Sequence, residues 1–218
     1  MSIAKLLSYV LHPIFMPIIV LYIVIQNIEF FDILFYNYTI PLYLIIGVFT
    51  IFFPLITILI SYKYKKISSI EMKSKEERNT PMFYIIIFMI IGFSLFKSIS
   101  QISTYLTSVY LSSIIILIVA FLITKKWKIS LHLLGIGVAT GTFISLNYIF
   151  GGLFYWIIFF IFLSGCLGFS RLNLKAHTLS QIYVGFLLGC LLQTFLIIYF
   201  NSTISTISIF LSNIAPIL

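Results

Sequence analysis

Residues 153–200 read LFYWIIFFIFLSGCLGF (153–169), SRLNLKAHT (170–178) and LSQIYVGFLLGCLLQTFLIIYF (179–200). The outer two runs are apolar and close to the ~20 residues that an α-helix needs to cross ~30 Å of hydrocarbon. Between them lies a short connection that carries Ser170, Arg171, Lys175 and His177. Apolar run, charged turn, apolar run is the signature of two membrane-spanning helices joined at a membrane surface. Ionisable groups kept so close to a bilayer are costly and point to function.

The same alternation extends over the whole chain. Of its 218 residues, 61% are hydrophobic and 8% charged, and the mean hydropathy is +1.19. A soluble domain is roughly 45–50% apolar and about 25% charged, so one buried core does not account for this composition. An all-α, polytopic membrane bundle is expected, with about seven transmembrane helices over 5–26, 40–61, 81–98, 103–123, 130–149, 153–169 and 179–200. The run after Lys5 is too long for a signal peptide and has no small-residue cleavage site, so it is expected to be retained as a helix. His12-Pro13 and Pro17 are expected to kink it. Cys166 and Cys190 lie in apolar runs and are expected to be buried thiols, not a disulfide framework. Gly137 and Gly141 have the small-xxx-small spacing of close helix contact.

Charge sets an orientation. Alternating the spans puts the N-terminus, 62–80, 124–129 and 170–178 on one side. All of the 13 Lys and Arg except Lys97 fall on that side. By the positive-inside rule that side is expected to be cytoplasmic. In a membrane protein the net charge of +8 reports topology and anionic lipid, so no nucleic-acid partner is expected. His12, His132 and His177 fall toward the same side, as do Arg78 and Arg171.

These residue types suit phosphate chemistry. A neutral imidazole is a competent nucleophile near pH 7, and a second can protonate a leaving oxygen. Here His177 is the candidate nucleophile and His132 the candidate acid. The planar fork of Arg171 matches phosphate oxygens, and Lys73, Arg78 and Lys128 add positive charge on the same side. Ser130 precedes a helix start, where its hydroxyl can cap and the free N–H groups can bind an anion. Gln181, four residues after His177, shares its helix face and can accept a hydrogen bond from one ring nitrogen.

The pattern resembles the type 2 phosphatidic acid phosphatase (PAP2) superfamily, which includes the vanadium haloperoxidases. Its third block, Ser-Arg-x5-His-x3-Asp, is matched by Ser170-Arg171-x5-His177-x3-Gln181. Its second, Pro-Ser-Gly-His, is partly matched by Ile129-Ser130-Leu131-His132. Its first, Lys-x6-Arg-Pro, has only Lys73, Arg78 and Pro81 at altered spacing. In the family two spans separate the second-block His from the third-block His, as here. The resemblance covers roughly 70–195. It divides the chain into N-terminal helices and the start of a charged loop (1–69), a PAP2-like core (70–200) and a short tail (201–218).

The resemblance implies a divergent bacterial membrane phosphatase, in a bacterial-type plasma membrane, acting on a lipid phosphate or lipid pyrophosphate through a phosphohistidine, with no metal or other cofactor. Catalysis would fall to His177, His132 and Gln181, and phosphate binding to Arg171, Ser170, Ser130, Arg78, Lys73 and Lys128. Gln181 replaces the family's Asp. An amide can orient a histidine but cannot stabilise the imidazolium, and the same exchange in a serine-protease triad lowers turnover about 10⁴-fold. Leu131 replaces a glycine that would let the backbone approach a phosphate. The alternative is therefore a catalytically silent relative that binds a lipid phosphate or a membrane partner. A transporter ranks below both, because no ionisable residue sits at mid-bilayer.

Overall fold

The computed structural model describes residues 2–69, 72, 74–100 and 103–214. Every regular element among them is helical. In chain order these are α1 (Ile3–Val10), α2 (Met16–Asn27), α3 (Glu29–Phe35), α4 (Thr39–Ile46), α5 (Phe53–Lys63), α6 (Glu76–Ser100), α7 (Thr104–Lys126), α8 (Leu131–Phe150), α9 (Phe154–Asn173) and α10 (Leu179–Ile214). They make seven apolar spans among the described residues, each long enough to cross a bilayer. The chain is an integral, multi-pass membrane protein.

Span ends lie within a few residues of the sequence expectation, with four differences. Span one is broken, not merely kinked. α1 ends before His12, Pro13–Phe15 form one 3₁₀ turn, and α2 resumes at Met16. Pro13 and Pro17 lack the N–H groups a continuous helix needs. Span two carries a π-helical segment, Gly47–Phe52, between α4 and α5. The expected 27–39 loop contains α3, whose Phe31 and Phe35 are completely buried. Finally, α10 runs past residue 200 to Ile214, so residues 201–214 of the expected tail are helical.

α8 is the most enclosed span and packs on α2, α9 and α10. Its contact with α10 is unusually close. A Cβ added at Gly137 or Gly141 would strike the α10 carbonyls of Phe186 or Cys190. One added at Gly185 or Gly189 would strike the carbonyls of Ser130 or Leu134. Small residues replace bulk so that backbones meet, the main source of helix association in lipid. Gly137 and Gly141 have the role their spacing suggested; the reciprocal pair on α10 was legible in the same way. Gln193, fully buried, adds a polar tie. Its amide donates to Val109 O (3.3 Å), Ser113 Oγ (3.4 Å) and Thr142 Oγ1 (3.1 Å).

The two ends of the bundle are built differently. At one, Trp156 Nε1 donates to Asn27 Oδ1 (3.1 Å), and Leu153 N donates to Asn147 Oδ1 (2.9 Å). There Phe150 packs among Phe30, Phe31 and Tyr105, with ring centroids 4.9–5.3 Å away. The other end gathers the cations and histidines.

Candidate functional site

The turn from α9 into α10 explains how the third sequence block is presented. α9 ends in a Schellman arrangement, with Lys175 N donating to Leu172 O (2.8 Å) and Ala176 N to Arg171 O (3.1 Å). Lys175 takes the left-handed conformation (φ 50°) that glycine ordinarily supplies here. This reversal keeps Arg171 in the last turn of α9 and delivers His177 just before α10. Both are buried, 6% and 7% exposed respectively.

His177 Nδ1 lies 2.9 Å from Gln181 Oε1, the contact expected from the four-residue spacing. The same oxygen accepts Thr178 N at 3.3 Å. An amide oxygen only accepts, so Nδ1 carries the proton and Nε2 keeps its lone pair. Burial, first, and the charges of Arg78, Lys128 and Arg171 hold the imidazole down to about 3, although the Gln181 bond, second in size only to burial, acts the other way. At neutral pH His177 is therefore an uncharged ring with an available Nε2 lone pair.

The other two blocks meet this turn through backbone carbonyls. Lys128 Nζ donates to Ala176 O (3.1 Å). Ser130 N donates to Gln181 O (3.3 Å). From the first turn of α6, Arg78 donates through Nη1 to Ile129 O (2.8 Å) and through Nε to Met72 O (3.2 Å). Arg78 is only 4% exposed. Burial, followed by the neighbouring Arg78 and Arg171 charges, lowers the Lys128 ammonium below its ordinary range, with Glu77 opposing. Arg171 is close enough to His12, His132 and His177 to act on each electrostatically. Like charges crowded in a poorly solvated place repel, so the arrangement suits an anion.

His132 is held from an unexpected direction. Its Nε2 donates to Ser8 O at 3.1 Å, across the gap to α1. A neutral His132 thus offers its Nδ1 lone pair, and serves as an acid only once Nδ1 is protonated. The ring of His12 stands edge-on to that of His132, with centroids 5.0 Å apart and planes at 84°. His12 is itself fixed, its Nδ1 accepting from Ile14 N at 3.3 Å. Pro13 reaches α8 because Gly135 has no side chain; a Cβ there would fall 2.9 Å from Pro13 Cβ. Two local features of the sequence permit this join without predicting it. His12-Pro13 breaks one helix, and Gly135 lies one turn beyond His132 on the other.

The two serines expected at the site differ in what their hydroxyls do. Ser130 occupies the position before α8, but its hydroxyl makes no capping bond and has no partner among the described residues. Its backbone is tied to Gln181 O, and this fixes the residue without aiming the hydroxyl at the helix end. Ser170 donates its hydroxyl to Cys166 O (3.0 Å), one turn back in its own helix. Lys73 lies outside the described residues. No group of three or more His, Cys, Asp or Glu able to hold a metal ion is found among the described residues.

A cavity of about 270 Å³ runs inward from the charged end, where Lys5, His12, Arg78, His132 and Arg171 line it. Its walls are otherwise overwhelmingly apolar and reach Phe96, Leu106, Tyr110 and Leu146 near the other end. His177 and Lys128 are not in its wall, whereas Arg78 and Arg171, which act electrostatically on both, are.

No family model, no curated protein and no solved structure matches this chain.

Proposed function

We propose that this protein is a PAP2-like membrane phosphatase that hydrolyses a lipid phosphate or lipid pyrophosphate through a phosphohistidine at His177. The observation that carries this reading is the state of His177. It is buried and uncharged, with Nδ1–H held by Gln181 and the Nε2 lone pair available beside three cations. In the proposed reaction Nε2 attacks phosphorus and the bond from phosphorus to the lipid oxygen breaks. His132, protonated at Nδ1 when the phosphate anion binds, gives that proton to the departing oxygen. Water, giving a proton to the Nδ1 that His132 has just vacated, then attacks the phosphohistidine, and the Nε2–phosphorus bond breaks to return His177 and release phosphate. Arg78, Arg171 and Lys128 stabilise the charge on the transferring oxygens. The charge bias of the loops favours a cytoplasmic position for this end.

A second reading has its own support. Gln181 supplies no negative charge for an imidazolium at position 177, and the Ser170 hydroxyl is engaged by Cys166 O. On that reading the protein binds a lipid phosphate, or a membrane partner through this end, without turnover. Phosphate release by the detergent-purified protein, from a panel of lipid mono- and pyrophosphates, separates the two. Hydrolysis that drops at least about 10³-fold in His177→Ala supports the enzyme. Binding without release, in the wild type and in Gln181→Asp alike, supports the silent protein.

A further inference from the structure

We infer that the interior cavity is the binding site for one hydrocarbon chain of a lipid monophosphate, drawn lengthwise into the bundle. The chain lies inside the protein, not against its outer surface. This deepens the reading of the charged end as a phosphate site, and holds whether or not the phosphate is then hydrolysed.

Three observations carry it. The first is shape. Along α8 the wall extends from His132 to Leu146, about 20 Å at ~1.5 Å per residue. A volume of about 270 Å³ over that length is slender, matching one chain and not a pair. The second is the distribution of chemistry. Charged and imidazole groups are confined to one end, where Lys5 and Tyr9 are exposed at the rim, and the depth is lined by residues such as Met89, Ala139 and Leu146. An amphiphile with an anionic head has that polarity. The third is that polar atoms without partners border the cavity. Ser8, 5% exposed, has its hydroxyl unpaired beside the cationic end, while its carbonyl holds His132. Lipid-phosphate oxygens are acceptors of the kind that hydroxyl lacks.

The broken first span gives this cavity its charged end. α1 packs on α9 and α2 on α8. The offset between them at His12-Pro13 leaves the opening that Lys5, Ser8 and Tyr9 border. A continuous helix would carry these residues along one straight axis.

The test is photolabelling of the full chain in phosphatidylcholine nanodiscs. The probe is a lysophosphatidic acid with a diazirine at the end of its acyl chain. His177→Ala is used as the background, so that loss of hydrolysis does not affect the readout. The expected result is adduct on the deep wall, at Met89, Phe96, Leu106 or Leu146, reduced at least fivefold in Arg78→Gln and in Lys5→Gln. Lys5 is exposed, so its substitution leaves the fold intact. A diazirine alcohol of the same chain length should label the deep wall at least fivefold less. Adducts confined to outward-facing residues such as Phe162, Leu191 and Tyr199 would overturn the inference. So would equal deep labelling by the alcohol, which would make the cavity a void without headgroup recognition.

Discussion

The two ends of this bundle solve the same problem with opposite chemistry. Each must close a set of helices where the chain reverses. At the far end closure is neutral: Trp156 on Asn27, Leu153 N on Asn147, and aromatic rings around Phe150. At the charged end it runs through Arg78, Lys128 and His132, each donating to a backbone carbonyl. Stability does not demand the second solution, because the first closes the bundle without burying a charge. Buried cations carry a desolvation penalty that a carbonyl offsets only partly. The difference therefore marks the charged end as the place where something other than stability is being served.

This contrast breaks if the ends respond alike to substitution. His177→Ala should lower phosphate release at least about 10³-fold and leave the melting temperature in detergent unchanged or raised. Phe150→Ala should do the reverse, destabilising by about 2 kcal/mol through lost ring packing while the folded fraction keeps its turnover. Calorimetry and turnover measured on the same preparations check both.

Acid sharpens the contrast next. His177 is held at about 3, below its ordinary 6.5. The unfolded chain therefore binds a proton that the folded chain refuses, and stability falls as pH drops from about 6.5 toward about 3. Above 6.5 the contribution is complete. The His177 share of this loss should be on the order of a few kcal/mol and should be missing from His177→Gln, as read from the difference between the two curves of melting temperature against pH. Trp156→Phe, at the neutral end, should lower stability by about 1 kcal/mol at every pH in that range.

Much of this was legible in the chain. The spans follow from apolar runs bounded by charge, and the α8 face that meets α10 from the Gly137–Gly141 spacing. Ser170, Arg171, His177 and Gln181 are close in sequence, so a single turn brings them together; the expected His177–Gln181 bond forms, but with His177 ahead of α10 and Gln181 reaching back to the helix start, where it also accepts Thr178 N. The meeting of His12 with His132 was not legible as a contact. It depends on where α1 docks, which is set by packing between residues far apart in the chain. The Ser130 hydroxyl does not make the capping bond expected of it for a related reason. A serine near a helix end has several local carbonyls and N–H groups within reach, and sequence does not choose among them. The cavity, a property of all the spans together, leaves no mark in any one of them.

The smallest expected effect concerns how the charged turn is held. Lys175 adopts a left-handed conformation at the end of α9, which costs a residue with a Cβ about 1 kcal/mol. Lys175→Gly should raise stability by about 0.5–1 kcal/mol and leave phosphate release unchanged, because Lys175 is exposed. A loss of turnover would place this side chain in the site.

The most direct test of the central claim is calorimetric titration of orthovanadate into the detergent-purified protein. Vanadate takes the five-coordinate geometry of phosphoryl transfer and accepts an imidazole nitrogen as its apical ligand, so it reports a nucleophile and a cation cradle together. The account predicts saturable binding that weakens at least 100-fold in His177→Ala and is unchanged in Trp156→Phe. Equal affinity in the wild type and His177→Ala, or no binding to either, would contradict it.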